Sequence, residues 1–268
     1  MYRKIMGFLE GWKESEHRKP LILQGARQVG KTYSLLEFGR THYENVAYFN
    51  FETNPKLNET FEENISPDYL IPILSHIAGQ TIVKEKTLMV FDEVQLCERA
   101  LTSLKYFCEN APDYHIIVAG SLLGVAVNRA KFSFPVGKVD MKTLYPMDME
   151  EFMLALGEDD LVKQIKKCFQ TDTPLPSALH DAAMQLYRQY LVVGGMPECV
   201  MQFAGTKDYI LVRHTQDTIL ASYLNDMSKY NTLNEIKKTR LAYDNITVQL
   251  SKKNTRFQYK LIKKGGRA

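Results

Sequence analysis

Cysteine and tryptophan are scarce in this chain, with four and one among 268 residues, and the thiols of Cys97, Cys108, Cys168 and Cys199 stand far apart. They show none of the short paired spacings that hold zinc or build a disulfide framework. The six histidines contain no H-E-x-x-H arrangement, and no Ser/His/Asp constellation can be assembled. No stretch approaches the roughly 18 to 20 apolar residues that a membrane-spanning helix needs. The segment Met1-Tyr2-Arg3-Lys4-Ile5-Met6-Gly7-Phe8 runs into Glu10 and Lys13 before an apolar core of signal-peptide length develops. A reducing cytoplasm and no membrane partner are therefore expected.

Acidic residues are absent after Asp244, where Lys252, Lys253, Arg256, Lys260, Lys263, Lys264 and Arg267 follow instead. Without these seven charges the formal +3 reverses sign, so the basicity belongs to the tail and not to the rest of the chain. What remains is ordinary globular sequence, 45% hydrophobic and 24% charged, long enough for one large α/β domain and a smaller appended one.

Short apolar runs at 20–24, 45–51, 88–91 and 115–119 read as strands, and the segments between them fit helices. That alternation predicts a parallel, doubly wound sheet. Residues 53–68, rich in Pro, Asn and acids, read as a solvated excursion. Beyond Pro146 the spacing at 149–156 and 207–227 is helical with no strand between, and Gly194-Gly195-Met196-Pro197 marks a tight turn before another helix. The expected divisions are 1–146, a helical region at 147–230, and a last segment at 231–268.

Gly25-Ala26-Arg27-Gln28-Val29-Gly30-Lys31-Thr32 matches G-x-x-x-x-G-K-[ST] throughout, directly after a strand and at the opening of a helix. Glycines let the backbone wrap so that successive N–H groups face phosphate oxygens, and the following helix adds its positive N-terminal end. In this reading Lys31 reaches the β/γ-phosphates of ATP and Thr32 ligates Mg²⁺, with Tyr33 closing the nucleotide-binding segment. Arg27 reads either as approaching a phosphate or a partner subunit, or as making a local ion pair. The strand at 88–91 ends in Asp92-Glu93. Asp92 is placed to hold Mg²⁺ and Glu93 to polarise the attacking water, whereas an acid pair without a cradle upstream reads as a cap or a solvated loop.

A strand stands in sequence between the cradle strand and the acid-bearing strand. That order, with Glu directly after Asp, resembles the additional-strand, catalytic-glutamate branch of P-loop ATPases and argues against a GTPase or a small-molecule kinase. With Ala119-Gly120-Ser121, Leu144-Tyr145-Pro146, Glu150-Glu151-Phe152 and Gly194-Gly195-Met196-Pro197-Glu198, the chain resembles the bacterial and archaeal AAA-type ATPases that carry a C-terminal domain of unknown function. The resemblance covers nearly the whole chain. It implies an α/β P-loop NTPase domain followed by a helical region, and Mg-dependent ATP binding and hydrolysis coupled to conformational change of an attached C-terminal module. It makes Ser121 a third catalytic candidate beside Glu93 and Lys31, as a γ-phosphate sensor or water-orienting group; a helix N-cap is the other reading of that serine.

Two departures qualify the resemblance. Gly137-Lys138 stands where relatives usually have Gly-Arg, which keeps a charge but loses the planar fork. Those relatives also run on well beyond this length. Residues 234–250 resemble the opening of a winged-helix domain whose later helix and wing are missing, so a C-terminally truncated chain is expected. ATP and ADP are the expected ligands. A homo-oligomer, and a DNA or protein client reached through the C-terminal region, stay open. The basic tail with Phe257 and Tyr259 interleaved fits phosphate neutralisation and stacking, or equally the solvated face of an incomplete domain. The alternative function is a nucleotide-gated DNA- or protein-binding regulator with little ATP turnover.

Overall fold

The computed structural model describes residues 1–120, 135–229, 233–252 and 258. The apolar runs form β1 (Leu21–Gln24), β2 (Asn45–Asn50), β3 (Thr87–Asp92) and β4 (His115–Gly120), joined by β5 (Asp140–Thr143). They lie in one sheet in the order β2-β3-β4-β1-β5, with every neighbouring pair parallel. β3 and β4 are buried along their whole length, as strands covered on both faces must be.

Alternation along the strands builds two cores. Ile22, Phe49, Phe91 and Val118 face one side, packed by α3 (Lys56–Glu63), α4 (Pro67–Ala78) and α5 (Glu98–Asn110). Leu21, Leu23, Val90 and Ile117 face the other, packed by α1 (Ile5–Glu14) and α2 (Lys31–His42). The result is the expected doubly wound α/β fold.

One expectation needs correction. Residues 53–68 are not a solvated excursion: α3 and the start of α4 lie there, and Leu57 and Phe61 are fully buried. The spacing of four puts that pair on one helical face while the acids around it stay in water. Phe61 meets the rings of Phe51 and Phe91 at 5.6 and 5.7 Å. As expected, one strand stands in sequence between β1 and β3: it is β2, which lies at the edge of the sheet. The strand separating β1 from β3 in space is β4. β5 was not foreseen, since only its end residues are partly buried and Met141 and Lys142 are exposed.

After β5 come α6 (Met149–Ala155), α7 (Asp159–Gln170), α8 (Ser177–Val193) and α9 (Pro197–Thr206). Asp148 and Glu151 form a reciprocal capping box that starts α6. The turn at 194–196 is tied back to this point, because Met147 N donates to Gly195 O at 2.6 Å and Tyr190 Oη donates to Met147 O at 2.8 Å. Met1–Asp208 is one compact unit and Tyr209–Ala268 a second. The second contains α10 (Tyr209–Lys229), α11 (Leu233–Asp244) and α12 (Ile246–Leu250). Among the described residues no helix is long and apolar enough to cross a membrane. Of the seven basic tail residues only Lys252 is described; the other six, with Phe257 and Tyr259, lie outside the described residues.

Candidate functional site

The cradle leaves the end of β1 and enters α2 at Lys31. Gly25 is required by close approach: a Cβ there would stand 2.3 Å from the Leu144 carbonyl oxygen, beside the hydrogen bond from Leu144 N to Gln24 O at 2.8 Å. Gln28 and Gly30 take positive φ of 61 and 90°, which turns the loop back on itself before the helix. Gly30 offers no side chain to the first turn of α2, so the N–H groups there remain for a ligand or water. Ala26 and Gln28 are exposed and Arg27 is half-buried. Tyr33 is 56% exposed on the first turn of α2.

Lys31 is buried, and its Nζ donates to the carbonyls of Gly25 and Ala26 at 2.9 and 2.8 Å. Burial holds its pKa below the ordinary lysine value, Glu93 and Asp92 pull it back up, and the Arg27 charge pushes it down again. The lysine is therefore curled into its own loop while both acids lie within electrostatic reach.

Thr32 and Asp92 come from positions 60 residues apart and meet directly, Oγ1 donating to Oδ2 at 2.7 Å. Asp92 is buried at 3% exposure and accepts two further bonds, from Tyr48 Oη to Oδ2 at 2.9 Å and from Glu93 N to Oδ1 at 3.0 Å. Burial pushes the Tyr48 phenol up to about 12, so it stays a donor. Glu93 follows in the left-handed region, φ 52, which turns the chain sharply out of β3. Gln95 Nε2 donates to Glu93 Oε2, while the buried Gln95 Oε1 has no partner among the described residues.

Lys31, Thr32, Asp92 and Glu93 are thus brought together at the carboxyl ends of β1 and β3, with the loop 25–30 above them. Ser121 lies outside the described residues. Lys138 pairs with Glu109 of its own chain, Nζ to Oε1 at 2.9 Å.

Three contributors escaped the sequence reading. Tyr48 sat inside an apolar strand and looked like packing. Gln95 follows the acid pair by two residues and was assigned no role. Arg3 is buried at 4% exposure and donates from Nη1 to the Val29 carbonyl at 2.7 Å, from Nη2 to the Tyr145 carbonyl at 2.8 Å and from Nε to Glu151 Oε1 at 3.1 Å. Asp148-x-x-Glu151 has the spacing of a helix start, but no spacing in the sequence points to Arg3.

Among solved structures the chain resembles the RuvB Holliday junction branch migration motor of Thermotoga maritima, at 13% identity over 91% of this chain and 82% of that one with a TM-score of 0.44. It also resembles AMPPCP-bound DnaA from Aquifex aeolicus, at 12% identity over 97% and 80% with a TM-score of 0.40. The ORC2 protein of Aeropyrum pernix, in ADPNP–ADP complexes, matches at 14% identity over 58% of this chain with a TM-score of 0.38, and the match spans 51% of that protein. No curated protein matches the chain. Residues 184–268 match a domain of unknown function (DUF8612). Residues 17–153, which hold β1 to β5 and the whole cradle, match the AAA domain, and the chain belongs to that family.

Proposed function

We propose that this protein binds ATP with Mg²⁺ in the cradle 25–32, hydrolyses it, and uses the turnover to move its C-terminal part. The observation that carries the reading is the 2.7 Å contact between Thr32 Oγ1 and Asp92 Oδ2, which places a hydroxyl and a carboxylate at one point beside Lys31. Oxygen donors of that kind suit a hard divalent cation of the magnesium class. When bound, such an ion neutralises charge that builds on the β- and γ-phosphates.

The chain's own groups divide the remaining work. Lys31 exchanges the Gly25 and Ala26 carbonyls for phosphate oxygens, and the N–H groups of the loop and of the first turn of α2 hold the same anion. Thr32 and Asp92 keep the cation's oxygens in place. Glu93 takes the proton of the attacking water. Ser121 is the proposed γ-phosphate sensor. The proposed division places this chemistry in residues 1–146, a helical region at 147–230, and the start of a winged-helix-like segment at 231–268.

Equilibrium binding of a fluorescent ATP analogue tests the assignment. Lys31→Ala is expected to weaken binding at least tenfold, and unchanged affinity removes the cradle from the reading.

A second reading, nucleotide-gated binding of DNA or a protein with little turnover, is favoured by one contact. Gln95 engages the Glu93 carboxylate that has to receive the proton. Steady-state ATPase assays with and without DNA or a protein client separate the two: turnover near zero under every condition favours the gated binder.

A further inference from the structure

Tyr48 and Asn50 lie two residues apart on β2, so their side chains leave the same face of the strand. Parallel pairing sets Asn50 beside Asp92 and Tyr48 beside Val90, which brings all three polar groups to one end of the sheet. The contacts form a directed relay. The backbone N–H groups of Glu52 and Thr53 donate to Asn50 Oδ1 at 2.9 and 3.0 Å, which fixes the amide. Asn50 Nδ2 then donates to Tyr48 Oη at 3.2 Å, and Tyr48 Oη donates to Asp92 Oδ2 at 2.9 Å.

That last oxygen is the one that Thr32 also reaches. A carboxylate turns about a broad, roughly twofold torsion when nothing holds it. Here Thr32 and Tyr48 address one oxygen and the Glu93 N–H the other, so the plane of Asp92 is set before any ligand arrives. Tyr48 is 37% exposed, so its hydroxyl can be removed without opening a cavity in the core.

We propose that Tyr48 is a positioning residue of the divalent-cation site: its hydroxyl, aimed by Asn50, holds the Asp92 carboxylate against Thr32 so that the cation meets a preset pair of oxygens. This rests on the reading of Thr32 and Asp92 as the metal pair. The role is set by geometry, and it separates metal affinity from nucleotide affinity, because Tyr48 has no part in the cradle.

The test uses the full chain and Mn²⁺ as a spin probe for Mg²⁺, with binding to the ATP-loaded protein followed by electron paramagnetic resonance. Removing one hydrogen bond of this strength corresponds to a loss of about 3- to 10-fold. Tyr48→Phe is expected to weaken Mn²⁺ binding by that factor, with metal-free ATP affinity in EDTA unchanged. Asn50→Ala is expected to move the same quantity in the same direction by less. Unchanged or tighter Mn²⁺ binding in Tyr48→Phe, or an equal loss of metal-free ATP affinity, overturns the proposal. Asp92→Asn serves as the reference: if it leaves Mn²⁺ binding intact, the metal pair itself is misassigned and the role of Tyr48 falls with it.

Discussion

Arg3 and Glu151, 148 positions apart, form an ion pair at 3.1 Å that is almost wholly buried. Neither member serves only the other. The guanidinium also holds the Val29 carbonyl inside the cradle, and the carboxylate accepts the N–H groups of Lys4 and Asp148 at 2.7 and 3.2 Å. Breaking one side of such a pair leaves an uncompensated buried charge, which costs about 3–5 kcal/mol. Arg3→Met is expected to lower the unfolding free energy by that order in denaturant titrations. ATP affinity should fall as well, because Val29 loses its anchor. Arg3→Met combined with Glu151→Leu should cost less than the sum of the two single changes.

Gly25 and Gly7 make opposite predictions for the same substitution. Gly25→Ala drives a methyl group into the Leu144 carbonyl, and either β5 or the cradle has to move. The expected loss is about 1–3 kcal/mol, accompanied by weaker nucleotide binding. Gly7 lies within α1 with nothing within 4 Å of an added Cβ, and Gly7→Ala should stabilise by about 0.5–1 kcal/mol. Thermal unfolding of the two variants is expected to shift in opposite directions.

Glu93→Gln keeps the size of the side chain and removes its basicity. Nucleotide affinity should be retained while turnover drops about 10²- to 10⁴-fold. Retained turnover in a phosphate-release assay would take Glu93 out of the mechanism.

His115 makes stability depend on pH. It is 3% exposed at the start of β4, its Nδ1 meets Tyr43 Oη at 2.7 Å, and its Nε2 is buried without a partner among the described residues. Burial, with the positive charges of Arg18 and Lys13 and against the pull of Asp113, lowers its pKa from the ordinary 6.5 to about 4. The unfolded chain therefore takes up the proton first. The contribution of neutral His115 is complete above pH 6.5, falls as pH drops toward 4, and is lost below that. The span corresponds to about 3 kcal/mol at most. Denaturant midpoints of His115→Phe should slope less steeply across this window than those of the parent.

The parts of the fold legible in the sequence were those whose signal is local. Lys31 and Thr32 follow a glycine turn of fixed spacing, and Asp92 ends a strand that is apolar throughout, so all three stood out as candidates without tertiary information. Leu57 and Phe61 were missed because two apolar residues among acids carry a weak helical pattern that becomes decisive only when a sheet face lies beneath it. Met141 and Lys142 were missed because an exposed strand announces itself by its neighbours and not by its composition. Arg3 and Tyr48 were missed for a third reason. The partners that matter, Val29 and Glu151 for Arg3 and Asp92 for Tyr48, are distant in sequence, and a single arginine or tyrosine carries no spacing that could reveal them.

The strand order also bears on how the chain is made. β2 and β3 are neighbours in both sequence and space, so they can pair soon after both have left the ribosome. β1 is synthesised before either, yet its partners are β4 and β5, and Gln24 meets the side chain of Thr143 across 119 residues. Closing loops of that length precedes the contacts that reward it. A nascent chain stopped short of β4 contains every residue of the cradle and no neighbouring strand on which to set it.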